Sequence, residues 1–119
     1  MGELKTHSGG CHCGAVRFEV ETDLAQVIAC NCSHCSKKGF LLTFTPADRF
    51  RLASGDEVLT DYRFNTHKIA HRFCSVCGVQ PFGEGVSQSG EATRAVNVRC
   101  LDDVDLDALT ITQVDGRRF

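Results

Sequence analysis

Three short cysteine groupings limit what this chain can fold into: Cys11-His12-Cys13, Cys30-Asn31-Cys32-Ser33-His34-Cys35 and Cys74-Ser75-Val76-Cys77. They hold seven of the eight cysteines, and Cys100 stands apart. Sulfurs one residue apart are poor disulfide partners for each other, whereas residues i and i+2 of a strand share a face and can reach one ion together. Cys-x-x-Cys does the same through a tight turn. The stretch from Met1 to His7 has neither the basic nor the apolar region of a secretory signal. The expected location is therefore the cytoplasm, where reducing thiol pools make metal binding the usual role of such clusters.

A length of 119 residues predicts one domain, residues 1–119, with room for a single core. A formal net charge of −2 gives no electrostatic reason to expect nucleic acid or an anionic membrane as partner. No apolar run approaches the roughly 18 residues of a spanning helix. Strand patterns prevail. Ala15 to Glu21 alternates apolar or small with charged residues, and Val58 to Phe64 and Ala95 to Arg99 read alike. Phe40 to Phe44 is a nearly continuous apolar run of strand length. Gly9-Gly10, Ser54-Gly55-Asp56 and Ser89-Gly90-Glu91 read as turns. The expected fold is an all-β, mainly antiparallel domain with at most short helical turns. Those turns fall at Pro46 to Phe50, with Pro46 first, and at Asp103 to Leu109. The acidic residues Asp102, Asp103, Asp105 and Asp107 lack the spacing of a calcium loop and read as a solvated turn.

Four converging thiolates make a closed structural zinc site, and two local pairs distant in sequence can supply them. One division joins Cys11 and Cys13 to Cys74 and Cys77 and leaves Cys30, Cys32 and Cys35 as a compact triad. The other joins Cys32 and Cys35 to Cys74 and Cys77 and leaves Cys11, Cys13 and Cys30 to gather from afar. The first is preferred because its remainder is local. Three protein ligands with a vacant position is the catalytic arrangement. Cys100, His34 or His12 could instead close the triad, although Cys100, directly after a strand pattern, reads better as a buried free thiol.

Three thiolates make zinc a weak Lewis acid toward water but a good holder of an incoming thiol, which ionises there and stays nucleophilic. An anionic substrate would need nearby cations. Lys37 and Lys38 directly follow Cys35 and are the preferred candidates. Arg63, His67, Lys68, His71 and Arg72 lie before Cys74 and read equally as an ordinary solvated face. His67 and His71 are also acid–base candidates, though each reads as well as a surface or core histidine.

Gly10 to Phe18, Cys30 to Cys35, Phe73 to Phe82 and Val96 to Asp102, taken in this order, resemble the glutathione-dependent formaldehyde-activating enzyme family, which also includes centromere protein V. The resemblance runs from about Gly10 to Leu109. It implies an Mss4-like, zinc-stabilised antiparallel β fold with two zinc ions per chain. It implies a structural zinc on Cys11, Cys13, Cys74 and Cys77 and a catalytic zinc on Cys30, Cys32 and Cys35. The implied activity is that of a carbon–sulfur lyase, joining a small thiol such as glutathione to formaldehyde. The alternative is a non-catalytic, zinc-stabilised protein-binding module, with both clusters structural.

Overall fold

A computed structural model of the chain describes residues 3–63, 69–87 and 89–115. Strand β1 (Lys5–Gly10) pairs antiparallel with β2 (Arg17–Thr22). Along β2, Phe18, Val20 and Thr22 are buried while Arg17, Glu19 and Glu21 lie on the outer side, as the sequence alternation predicts. The strand begins later than the Ala15–Glu21 pattern suggests. Ala15 and Val16 are used in the turn around Cys11, whose N–H donates to the Val16 carbonyl at 3.1 Å. Gly9 and Gly10, expected as a turn, are instead the last residues of β1. Glycine is needed there for close approach: a Cβ on Gly9 would lie 2.5 Å from the Cys100 carbonyl oxygen.

Strand β3 (Val27–Cys30) ends at the first cysteine of the triad and is followed by helix α1 (Ser33–Lys38). Strands β4 (Leu42–Pro46), β5 (Phe50–Ser54) and β6 (Leu59–Tyr62) come next, then β7 (Ala70–Cys74), β8 (Phe82–Val86), β9 (Ala92–Asn97) and β10 (Ile111–Val114). They form two sheets, β1-β2-β5 and β10-β3-β4-β9-β8-β7-β6. All pairings are antiparallel except β10 with β3, where Ile111 to Val114 run alongside Val27 to Cys30. Short 3-10 turns at Ala47–Arg49 and Leu106–Ala108 lie within the two expected helical stretches, but Pro46 precedes the first turn as its cap rather than opening it. The acidic segment is a turn start, with Asp105 Oδ1 accepting from the Asp107 N–H at 3.1 Å. Strand β9 stops at Asn97, short of the expected Arg99, because the Asn97 side chain accepts from the Arg99 N–H and turns the chain.

The two sheets bury one another. Phe18 and Phe50 stack at 5.1 Å between ring centres, and Phe50 meets Phe82 of the larger sheet at 4.6 Å. Val20, Val27, Leu41, Val96, Val98 and Leu101 complete this core. Each such side chain stabilises the fold by about 1.5–3 kcal/mol when fully buried. Among the described residues no helix is long and apolar enough to cross a membrane.

Candidate metal centres

The sulfurs of Cys11, Cys13, Cys74 and Cys77 converge, all within 4.8 Å of one another. Two turns of similar design bring them together. In one, Gly14 donates its N–H to the Cys11 carbonyl, and the Val16 N–H points at the Cys11 sulfur at 3.3 Å. In the other, Gly78 donates to the Cys74 carbonyl, and the Val76 N–H points at the Cys74 sulfur at 3.4 Å. The cysteines one residue apart thus converge through a turn rather than along a strand face. Cys11–Cys13 and Cys13–Cys74 sulfur separations are 3.6 and 3.7 Å. A disulfide needs about 2.05 Å, whereas four sulfurs about 2.3 Å from a tetrahedral zinc sit roughly 3.8 Å apart. The donor set and its spacing fit zinc. The sulfurs of this group differ: burial raises the Cys77 thiol, but the Val79 and Cys13 N–H groups and neighbouring sulfurs outweigh it and bring it down to about 6. Cys13 is pushed the other way, to about 11; the Ala15 N–H lowers it, while burial and the other three sulfurs together raise it more.

Cys30, Cys32 and Cys35 form the second convergent group. Cys30 is fixed at the end of β3 by β10 on one side, and the Asn31 N–H continues that ladder to the Val114 carbonyl at 3.1 Å. Cys32 is the N-cap of α1, its sulfur accepting from the Cys35 N–H at 3.3 Å. This short helix was not anticipated, although its end carries a readable signal. Gly39 closes it with φ of 71°, a left-handed conformation that glycine adopts without strain. Arg99 donates from Nε to the Gly39 carbonyl at 3.0 Å and ties the helix end to the segment after β9. Cys35 is buried against Phe40 and Leu42, and burial together with Cys32 and Cys30 raises its thiol. On Cys32, burial is outweighed by N–H donation from Cys35, and the thiol is lowered.

Among the described residues no fourth histidine, cysteine or carboxylate joins this triad. Cys100 lies elsewhere, partly buried on the core, and burial raises its thiol to about 11. His12 and His34 belong to neither convergent group.

The basic candidates separate. Lys38 lines a cleft of about 250 Å³ together with His34, Tyr62, Phe73, Gly78 and Gln80. Its Nζ lies 5.6 Å from the centre of the Phe73 ring. Lys37 is exposed on α1 and is not among the residues lining that cleft. Arg72 pairs with Asp56, Asp61 and Glu84, and Arg63 with Asp61, so both are engaged by carboxylates. His71 lies within 3.5 Å of the Gln80 amide and 4.2 Å, ring to ring, from His34. Burial chiefly, with the Lys38 charge, lowers His34; burial with His34 and Lys38 brings His71 down to about 4. His67 and Lys68 lie outside the described residues. The cleft walls Tyr62, Phe73 and Gln80 were not singled out by sequence. For all lining residues but Tyr62 the available signal is adjacency: Phe73, Gly78 and Gln80 flank Cys74 and Cys77, and His34 and Lys38 flank Cys35.

Comparison with known proteins gives the fold and the family. A crystal structure of a Rhodobacter sphaeroides protein, a structural genomics target, superposes with a TM-score of 0.76 at 33% identity, covering 88% of this chain and 99% of that one. Residues 6–113 match the family described as glutathione-dependent formaldehyde-activating enzyme, a span that includes both sulfur groups. The chain belongs to the glutathione-dependent formaldehyde-activating enzyme family.

Proposed function

We propose that the chain is a zinc-dependent carbon–sulfur lyase-type enzyme that joins a small thiol to a carbonyl compound, or releases it. The observation that carries this reading is the unequal completeness of the two sulfur groups, four donors in one and three in the other. Cys11, Cys13, Cys74 and Cys77 would hold a structural zinc, and Cys30, Cys32 and Cys35 a catalytic one. When bound by these three thiolates, zinc would favour ionisation of an incoming thiol whose sulfur would stay nucleophilic.

The chain's own residues set up the rest. The Cys35 N–H polarises the Cys32 sulfur, and Arg99 holds the far end of α1, so the triad is carried on a fixed turn. Lys38 places a positive charge beside the triad helix for an anionic substrate, and Lys37 offers a second on the exposed side. The thiol RSH and the aldehyde R′CHO combine into RS–CH(OH)R′: a carbon–sulfur bond forms, and the thiol proton ends on the carbonyl oxygen. No oxidant or reductant is needed. Glutathione and formaldehyde are the pair the family description supplies.

Cobalt-substituted protein titrated with glutathione tests this. Sulfur-to-metal charge-transfer bands should change with saturation, and this response to the thiol should persist in Cys100→Ser and be lost in Cys32→Ser. Unchanged bands together with a fourth protein ligand at the triad would leave the non-catalytic, zinc-stabilised module instead.

A further inference from the structure

The cleft beside α1 is far larger than formaldehyde needs. One water needs about 10–15 Å³ of such space, and the cleft offers about 250 Å³. Rings make up half of its lining residues: His34 and Tyr62 stack at 5.6 Å with 23° between planes, and Phe73 is the third. Lys38 is the one lining residue with a fixed positive charge, and its ammonium is held over the Phe73 face. No carboxylate lines the cleft among the described residues. Gln80 is 5% exposed, and its Oε1 has no hydrogen-bond partner among the described residues. A buried amide oxygen left unpaired costs free energy that a ligand donor, after a small turn of the amide, can recover. Flat walls, one cation and one unpaired polar atom together describe a ligand.

We propose that this cleft binds the carbon half of the reaction, and that it selects a flat apolar body, aryl in size, carrying a single carboxylate. Lys38 pairs with the carboxylate, Phe73 and Tyr62 pack the body, and Gln80 reads a polar group at its inner end. This deepens the carbon–sulfur reading above and rests on it for the reaction, though not for the binding. Glutathione carries two carboxylates and a long polar backbone, which match neither the single cation nor the apolar wall.

Tyr62 is the chain's one tyrosine and there is no tryptophan, so intrinsic fluorescence of the zinc-loaded protein reports on this cleft directly. Titration with phenylacetate should give a saturable change, and acetate should not compete. Lys38→Gln should weaken phenylacetate about tenfold, the usual worth of a charge-assisted contact, and leave the neutral 2-phenylethanol unchanged. Phe73→Ala should weaken both. The proposal is overturned if phenylacetate gives no saturable change, if Lys38→Gln binds it as tightly, or if glutathione alone displaces it. Phenylacetate binding in a protein whose cobalt bands ignore thiols would sink the carbon–sulfur reading and leave the cleft assignment standing.

Discussion

The sulfur of Cys13 lies 3.7 Å from that of Cys74, although 61 positions separate them in the chain. The contact joins the turn after β1 to the last residue of β7, and the two strands belong to different sheets. Cys11 and Cys74 are also buried against Val16, with Leu52 and Leu59 packed around them. A metal at this group would therefore tie the two sheets together where the aromatic core does not reach. The triad has no comparable span, since its three sulfurs come from within six consecutive residues.

The two groups should accordingly separate stability from metal exchange. Cys74→Ser removes a thiolate from the group that joins the sheets, and structural zinc binding is folding free energy, so this variant should lose its cooperative thermal transition. Cys32→Ser should keep one. Serine is a good N-cap and preserves the contact to the Cys35 N–H that starts α1. Thermal melts by circular dichroism check both, and equal destabilisation of the two variants would show that the division of roles is wrong.

Metal content gives a second expectation. Purified protein should carry two zinc ions per chain, released in two steps by a competing chelator. The triad should empty first because an open position admits the chelator. Elemental analysis during stepwise chelation would contradict the two-site reading if it found one ion, or a single release step.

Much of this was legible in the sequence, and each failure has its own physical cause. Spacing left two divisions of the seven cysteines and favoured the one with a local remainder, and those are the groups whose sulfurs converge. Periodicity found β2, β4, β6 and β9. It missed β1, β3, β5, β7, β8 and β10; in β7 and β8 the paired Arg72 and Glu84, with glycines on both sides of Glu84, leave no apolar alternation to read. It missed α1 because six residues give too short a pattern, and because Cys32 does the work that serine or aspartate usually announces. Gly9-Gly10 misled for a different reason. Glycine marks turns and close approaches alike, and only the packed position of the Cys100 carbonyl distinguishes them.

That close approach can be tested. Gly9→Ala would place its Cβ 2.5 Å from the Cys100 oxygen and 2.8 Å from the Phe18 ring. It should cost about 1–3 kcal/mol as an overpacked site. Gly85→Ala is the control, because its Cβ meets only Ile69 at 3.6 Å, an ordinary contact. Chemical denaturation of the two variants should separate them clearly, and equal midpoints would mean that the β1 end is not packed as described.

Arg99 offers a way to loosen the triad without touching a cysteine. Its Nε bond to the Gly39 carbonyl satisfies one of the orphan acceptors at the end of α1. Arg99→Met keeps the aliphatic stem and removes the donor, at a cost of about 1 kcal/mol for an exposed hydrogen bond. Zinc should then leave the triad faster while the four-sulfur group holds its ion as before. Release kinetics followed with a colorimetric chelator check this, and an unchanged fast phase would mean that α1 needs no tether.

His71 provides a pH-dependent expectation whose sign can be worked out. Burial first, then the neighbouring His34 and Lys38, lowers its pKa to about 4 against an ordinary value near 6.5. The imidazole is therefore neutral in the fold at pH 7, which suits its ring nitrogen Nδ1 to accept from the Gln80 amide. Between these two values the unfolded chain binds more protons than the folded one. The His71 contribution to stability is thus complete above about pH 6.5 and is lost as pH falls toward 4. Acid also strips zinc from thiolates, so bulk melting cannot isolate the effect. Proton NMR of the imidazole ring does, with His71→Gln identifying the resonance: it should show no midpoint above about pH 5, and a midpoint near 6.5 would mean that the histidine is hydrated rather than held behind the cleft.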